Sequence, residues 1–216
     1  MSQPQPTPAP EQLIALVKQQ LNTSIQVARQ VLEDSTIATT VAAAAEKTAA
    51  AMKQGRKLMV AGNGGSAADS QHLVAEFVSR LTVDRPALPA VALTVDTSIL
   101  TAIGNDYAYE NIFERQVEAL GREGDVFFAL STSGNSKNVI KGLAQARRMG
   151  ITTIGYSGNG GGQMASLCDY SVVVPSSVTM NIQESHIMLE HIFCMLVEKC
   201  YFGMDFGAHT PTVPAE

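Results

Sequence analysis

Five short apolar segments, at 58–61, 90–94, 126–130, 152–156 and 170–174, recur along the middle of the chain, and each is followed by residues that suit a helix. Four of them are almost wholly apolar, so they do not alternate as a strand with one wet face would. A strand that is apolar on both sides must be covered on both sides, the condition of a parallel sheet in an α/β protein. Helical stretches at about 66–79, 97–103, 109–121, 137–149 and 163–168 lie between the strands, and a long final helix is predicted over 182–202. The fold class that satisfies this pattern is α/β: a doubly wound, five-stranded parallel sheet flanked by helices, with ligands at the carboxyl ends of the strands.

Two helices are predicted before the first strand. Leu13, Val17, Leu21, Ile25, Ala28 and Leu32 form one apolar stripe, and Ile37, Val41, Ala44, Ala45 and Met52 form another. Residues 1–10, with Pro4, Pro6, Pro8 and Pro10, read as an extended tail, and 204–216 as a second flexible tail. A single domain is therefore expected over 11–203, within the ordinary size of one hydrophobic core. Only 16% of the chain is charged against 45% hydrophobic, which points to much buried surface inside or between subunits. The net charge of −5 argues against nucleic acid as a partner. No apolar run reaches the ~18–20 residues of a membrane span. Cys168, Cys194 and Cys200 lack metal-site spacing and read as free thiols of a reducing compartment. A cytoplasmic chain with no membrane partner is the expectation.

The segment after the first strand carries chemistry. Gly62-Asn63-Gly64-Gly65 breaks the strand, Ser66 stands where a helix N-cap would, and His72 and Glu76 follow four residues apart on one helix face. Such a turn offers free backbone amides to an anion and a His–Glu pair to a proton or metal. After the third strand, Ser131-Thr132-Ser133-Gly134-Asn135-Ser136 places four hydroxyls before a helix N-terminus, a donor set suited to a phosphate dianion. Neither a Walker A loop nor a dinucleotide fingerprint is present, so a phosphorylated small molecule fits better than ATP or NAD. Asn105 and Asp106 either bind sugar hydroxyls or form a turn. The final helix crowds Gln183, Glu184, His186, Glu190 and His191 into an apolar sequence. His186 and Glu190 read as a surface pair and His191 as buried. Gln183 and His191 are eight residues apart, about 12 Å along a regular helix, so they meet at one point only if both reach inward or Gln183 lies on a fraying first turn.

These motifs together resemble the sugar isomerase (SIS) superfamily, and within it the phosphoheptose isomerase family. They are Gly-Asn-Gly-Gly-Ser-Ala-Ala-Asp-Ser-Gln-His-x-x-x-Glu from Gly62, Thr-Ala-Ile-Gly-Asn-Asp-Tyr from Thr101, Ser-Thr-Ser-Gly-Asn-Ser from Ser131, and Ile-Gln-Glu-x-His-x-x-x-x-His from Ile182. The resemblance implies a homotetramer with interfacial active sites that converts D-sedoheptulose 7-phosphate to D-glycero-D-manno-heptose 7-phosphate, the entry to activated heptose for lipopolysaccharide or other surface glycans. It further implies Zn2+ held by His72, Glu76, Gln183 and His191, with Glu76 and His191 as the acid–base pair. Substrate contacts implied in the same way are Asn63, Gly64, Gly65, Glu76, Asn105, Asp106, Ser131, Thr132, Ser133, Ser136 and Gln183.

Two departures stand out. Met180-Asn181 replaces the usual Pro-Arg before Gln183, and Asn159-Gly160-Gly161-Gly162 replaces Arg-Asp-Gly-Gly, which predicts a freer, less charged loop. One competing reading is a non-catalytic SIS tetramer that regulates the replication initiator; such relatives generally lack the acidic residue and final histidine present here as Glu76 and His191. Another is a phosphosugar sensor fused to a DNA-binding module, for which the sequence shows no helix-turn-helix or basic patch.

Overall fold

The computed structural model describes residues 9–203. Most of the two expected tails, residues 1–8 and 204–216, lies outside the described residues. Pro10 does not: it is the first residue of α1 (Pro10–Glu33), where its missing N–H costs nothing. Asp34 then caps α2 (Ser35–Lys53), its carboxylate accepting from the amides of Thr36 at 2.8 Å and Ile37 at 3.4 Å.

The sheet follows as β1 (Leu58–Ala61), β2 (Ala90–Ala92), β3 (Val126–Ser131), β4 (Thr152–Ser157) and β5 (Tyr170–Val173). All neighbours are parallel, in the order β2-β1-β3-β4-β5. The helices are α3 (Gly65–Val78), α4 (Thr97–Asp106), α5 (Ile112–Leu120), α6 (Lys137–Arg148) and α7 (Thr179–Phe202). The expected helix over 109–121 divides into a 3-10 turn, Tyr109–Asn111, and α5, and the one over 163–168 shrinks to the 3-10 turn Ala165–Leu167. Edge strand β2 pairs for only three residues.

Alternation along each strand builds two cores. Leu58, Val60, Val126, Phe128 and Leu130 face one side with α2, α3 and α7; Met59, Ala61, Phe127 and Ala129 face the other with α5 and α6. Phe193 of α7 packs its ring 5.1 Å from that of Phe128 and 6.0 Å from that of Phe77. This aromatic cluster seats α3 and α7 side by side on the sheet.

The α1 stripe behaves differently from the sequence pattern. Leu13, Val17, Leu21 and Ile25 are 47–60% exposed and Leu32 is 81% exposed, while the buried residues of the helix are Val27 and Val31. The apolar row points away from the rest of the chain, so periodicity located the helix correctly but not what it faces.

Candidate active site

From β1 the chain steps outward to β2 and then returns to β3 on the other side, so a crevice opens at the carboxyl ends of β1 and β3. The loops after these two strands are the two candidate anion sites. In the first, Gly64 adopts a positive φ of 56° and is the N-cap of α3; Ser66, expected there, is instead a buried residue of the first turn. No side chain caps this helix, which leaves its first amides to a ligand. In the second, Ser131 Oγ lies 3.0 Å from Ser136 Oγ and 3.5 Å from Ser133 Oγ, and Ser136 precedes α6 as an N-cap whose side chain is also uncommitted to the helix. The serine hydroxyls thus gather over a helix N-terminus.

A reciprocal amide pair ties the two loops together. Asn63 Nδ2 donates to Asn138 Oδ1 and Asn138 Nδ2 to Asn63 Oδ1, both at 2.8 Å, and the Tyr109 hydroxyl adds a third bond to Asn63 Oδ1 at 2.8 Å. Asn138 and Tyr109 escaped sequence reasoning because their partner lies 75 and 46 residues away.

Further along α3, spacings of three and four place Asp69, His72 and Glu76 on one face. From α7, His191 meets them: its Nε2 is 2.7 Å from His72 Nε2, and Glu76 Oε1 is 3.6 Å from the same nitrogen. The three donor atoms lie within 4.8 Å of one another. Two imidazole nitrogens and a carboxylate oxygen are the donor types of catalytic zinc centres, which keep a further position open. The cluster is able to hold a metal ion.

Gln183, expected beside these three, is held by Asp69 of the same α3 face. Because α7 begins at Thr179, Gln183 sits in regular helix rather than on a frayed turn, and its Nε2 donates to both oxygens of Asp69, at 2.9 and 3.2 Å. Burial raises the Asp69 pKa, partly offset by the Gln183 bond and by nearby His72. Asp69 could have been found from its spacing to His72. Asn105 and Asp106 bond to each other at 2.8 Å on the exposed end of α4, and no described residue of the crevice contacts their side chains by hydrogen bond.

Two expectations, for α7 and for the glycine loop, are corrected, and the Asn181 departure acquires a structural partner. His186 and Glu190, read as a surface pair, are fully buried against the sheet, whereas His191, one step around the helix, is half buried and turned to α3. Asn181, in place of the family's arginine, is buried and donates to Ser24 of α1 at 3.0 Å. The glycine loop is not free: Met164 N donates to Gly134 O at 3.0 Å, Gln163 N to Asn135 Oδ1 at 3.1 Å, and the backbones of Gly161 and Gly134 lie too close for a Cβ on Gly134.

Burial and the neighbouring Asp69 push the Glu190 carboxyl up to about 8, and burial pushes His186 down to about 4. A raised carboxyl favours the folded state at low pH and loses that contribution as pH climbs from about 4.5 through about 8. A depressed histidine stabilises above about 6.5 and loses its contribution as pH falls toward about 4. Between about 4.5 and 6.5 the two slopes oppose; above 6.5 only Glu190 acts. Glu190→Gln should therefore raise Tm at pH 8 and flatten its decline between pH 6.5 and 8, measured by calorimetry. An unchanged slope would show that Glu190 already ionises freely.

The SIS domain family matches residues 21–158. The chain is 51% identical over 187 residues to a phosphoheptose isomerase of Clostridium acetobutylicum, covering 87% of this chain and 95% of that protein. It is 54% identical over 178 residues to one of Burkholderia pseudomallei, covering 82% and 90%. Among solved structures, a phosphoheptose isomerase from Francisella tularensis superposes with a TM-score of 0.83 at 31% identity, covering 86% of this chain and 98% of that one. One from Neisseria gonorrhoeae gives 0.79 at 41%, covering 87% and 99%.

Proposed function

This chain belongs to the SIS domain family and, within it, to the phosphoheptose isomerases, and from that premise we propose that it converts D-sedoheptulose 7-phosphate to D-glycero-D-manno-heptose 7-phosphate through an enediol. The product would enter activated-heptose synthesis for lipopolysaccharide or other surface glycans. The observation that carries the reading is the meeting of His72, Glu76 and His191, drawn from two helices.

Moving the carbonyl from C2 to C1 requires a proton to leave C1 and arrive at C2, while a second proton passes from O1 to O2. Glu76 takes the carbon proton and returns it on the neighbouring carbon; His191 carries the proton between the oxygens. Ser131, Thr132, Ser133 and Ser136 hold the phosphate, and the first amides of α3 at Gly64 and Gly65, with Asn63, face the sugar. Asn105 and Asp106 bind sugar hydroxyls. His72, Glu76 and His191 would hold zinc, with Gln183 beside them as a further oxygen donor. When bound, zinc supplies a Lewis acid that polarises the carbonyl and stabilises the enediolate charge.

A homotetramer with sites at subunit interfaces is part of the proposal. The outward apolar row of α1 and the apolar groove between α1, α2 and α7, lined by Ile25, Leu32, Ile37, Met188 and Ile192, support it as surface that water does not favour. Among the described residues no helix is long and apolar enough to cross a membrane, and a cytoplasmic setting is the one we propose.

Incubation with sedoheptulose 7-phosphate should yield the aldose 7-phosphate, resolved by chromatography. Prior treatment with a chelator should remove activity, and added Zn2+ should restore it. Full turnover after exhaustive chelation would end the zinc reading, and no turnover by the metal-loaded protein would end the substrate assignment.

A further inference from the structure

Arg85 lies in the segment that returns from α3 to β2, and its guanidinium folds back under the end of α3. Nη2 donates to the backbone carbonyl of Glu76 at 2.7 Å, and Nη1 to that of Phe77 at 2.6 Å and to those of Ser79 and Pro86 at 3.2 Å. The carbonyls of Glu76 and Phe77 are among those that α3 leaves without an intrahelical partner at its negative end. The same guanidinium meets Glu198 of α7: Nε donates to Oε1 at 2.8 Å and Nη2 is 2.7 Å away. Glu198 also accepts from Leu81 N at 3.3 Å and Thr82 Oγ1 at 3.2 Å. The two side chains are only 3% and 1% exposed.

Glu198 follows His191 by seven residues, two turns along the same helix and about 10 Å. One buried ion pair therefore joins the peptide group of Glu76 to the helix that carries His191. Burying two charges is costly enough that apolar residues of similar volume often serve stability as well. What the pair supplies that apolar packing would not is a directed connection, with bonds at fixed angles to a particular carbonyl.

We propose that Arg85 and Glu198 are positioning residues for the catalytic cluster: they clamp the end of α3 to α7 and so set how Glu76 and His191 face each other. The clamp acts on the cluster that the isomerase reading uses and rests on that reading.

Two variants test it. Glu198→Gln keeps shape and removes the charge, and the double variant Arg85→Met/Glu198→Leu fills the space with apolar atoms. The full-length protein is loaded with Co2+, whose visible absorption reports coordination geometry, and Tm, Co2+ affinity, kcat and KM are measured. With Tm retained, Co2+ affinity should weaken by roughly 10–100-fold, the scale of lost outer-sphere support. The absorption band should shift and kcat should fall, while KM for sedoheptulose 7-phosphate stays put because the serine loop lies on other elements. Arg85→Lys, which keeps charge but not the forked geometry, should be intermediate. Wild-type Co2+ affinity, spectrum and kcat in both variants would overturn the clamp, as would failure of both to fold, which would make the pair a folding element. If the wild type takes up no Co2+, the metal reading falls, while the clamp is still judged by the split between kcat and KM.

Discussion

Glu76→Gln should lower kcat by about 10²–10⁴-fold, the usual contribution of a positioned acid or base, while the protein remains assembled and KM changes little. The amide keeps the size of the side chain and its place 3.6 Å from His72, but it cannot accept the carbon proton. His191→Ala should cost a similar factor, because it removes the oxygen-proton carrier together with the nitrogen that meets His72 at 2.7 Å. The two groups move the two protons of one isomerisation, and neither transfer completes the reaction without the other, so the double variant should be little worse than either single one; such non-additivity marks residues that act as a unit. Steady-state kinetics on metal-loaded protein checks this, with solvent deuterium incorporation at C1 of the ketose as a separate reading of proton abstraction. Undiminished turnover by either variant would remove the acid–base assignment.

Gly134→Ala should raise KM by roughly tenfold or more, since charge-assisted hydrogen bonds of the kind a phosphate accepts are worth about 1.5–3 kcal/mol each. The residue has a φ of 65°, which costs an alanine about 1–2 kcal/mol. Its Cβ would also run into the carbonyl of Gly161, and that loop cannot retreat without breaking the Met164–Gly134 bond. The serine loop must then shift, displacing the hydroxyls of Ser133 and Ser136 from their common focus. Ser133→Ala, which deletes one hydroxyl and leaves the backbone, should be milder. Unphosphorylated sedoheptulose is the control: any residual turnover of it should be insensitive to both changes. A wild-type KM in Gly134→Ala would place the phosphate elsewhere.

The sheet was legible because its central strands, β1, β3 and β4, are buried on both faces and poor in charge: β1 falls on the expected residues, and β3 and β4 extend one residue beyond. The His72–Glu76 pair was legible because helical spacing is local. What single-sequence reasoning could not supply was rotation about a helix axis set by distant partners. On α7 it exchanged the surroundings of the His186–Glu190 pair and His191, and on α1 it located the apolar row without saying which way the row faces. The same limit hid the Gln183–Asp69 bond, whose members are 114 residues apart. The glycine loop was misjudged for another reason: small residues signify freedom in isolation but close backbone approach when a second loop lies against them.

The interlocked carboxamides of Asn63 and Asn138 give the crevice a fixed gauge. With the loop that opens α3 pinned to the start of α6, the two candidate anion loops are held at one separation. On the proposed reading a triose or pentose phosphate, seated by its charged end, should then turn over far more slowly than the heptose phosphate, which kinetics on the shorter sugars would check.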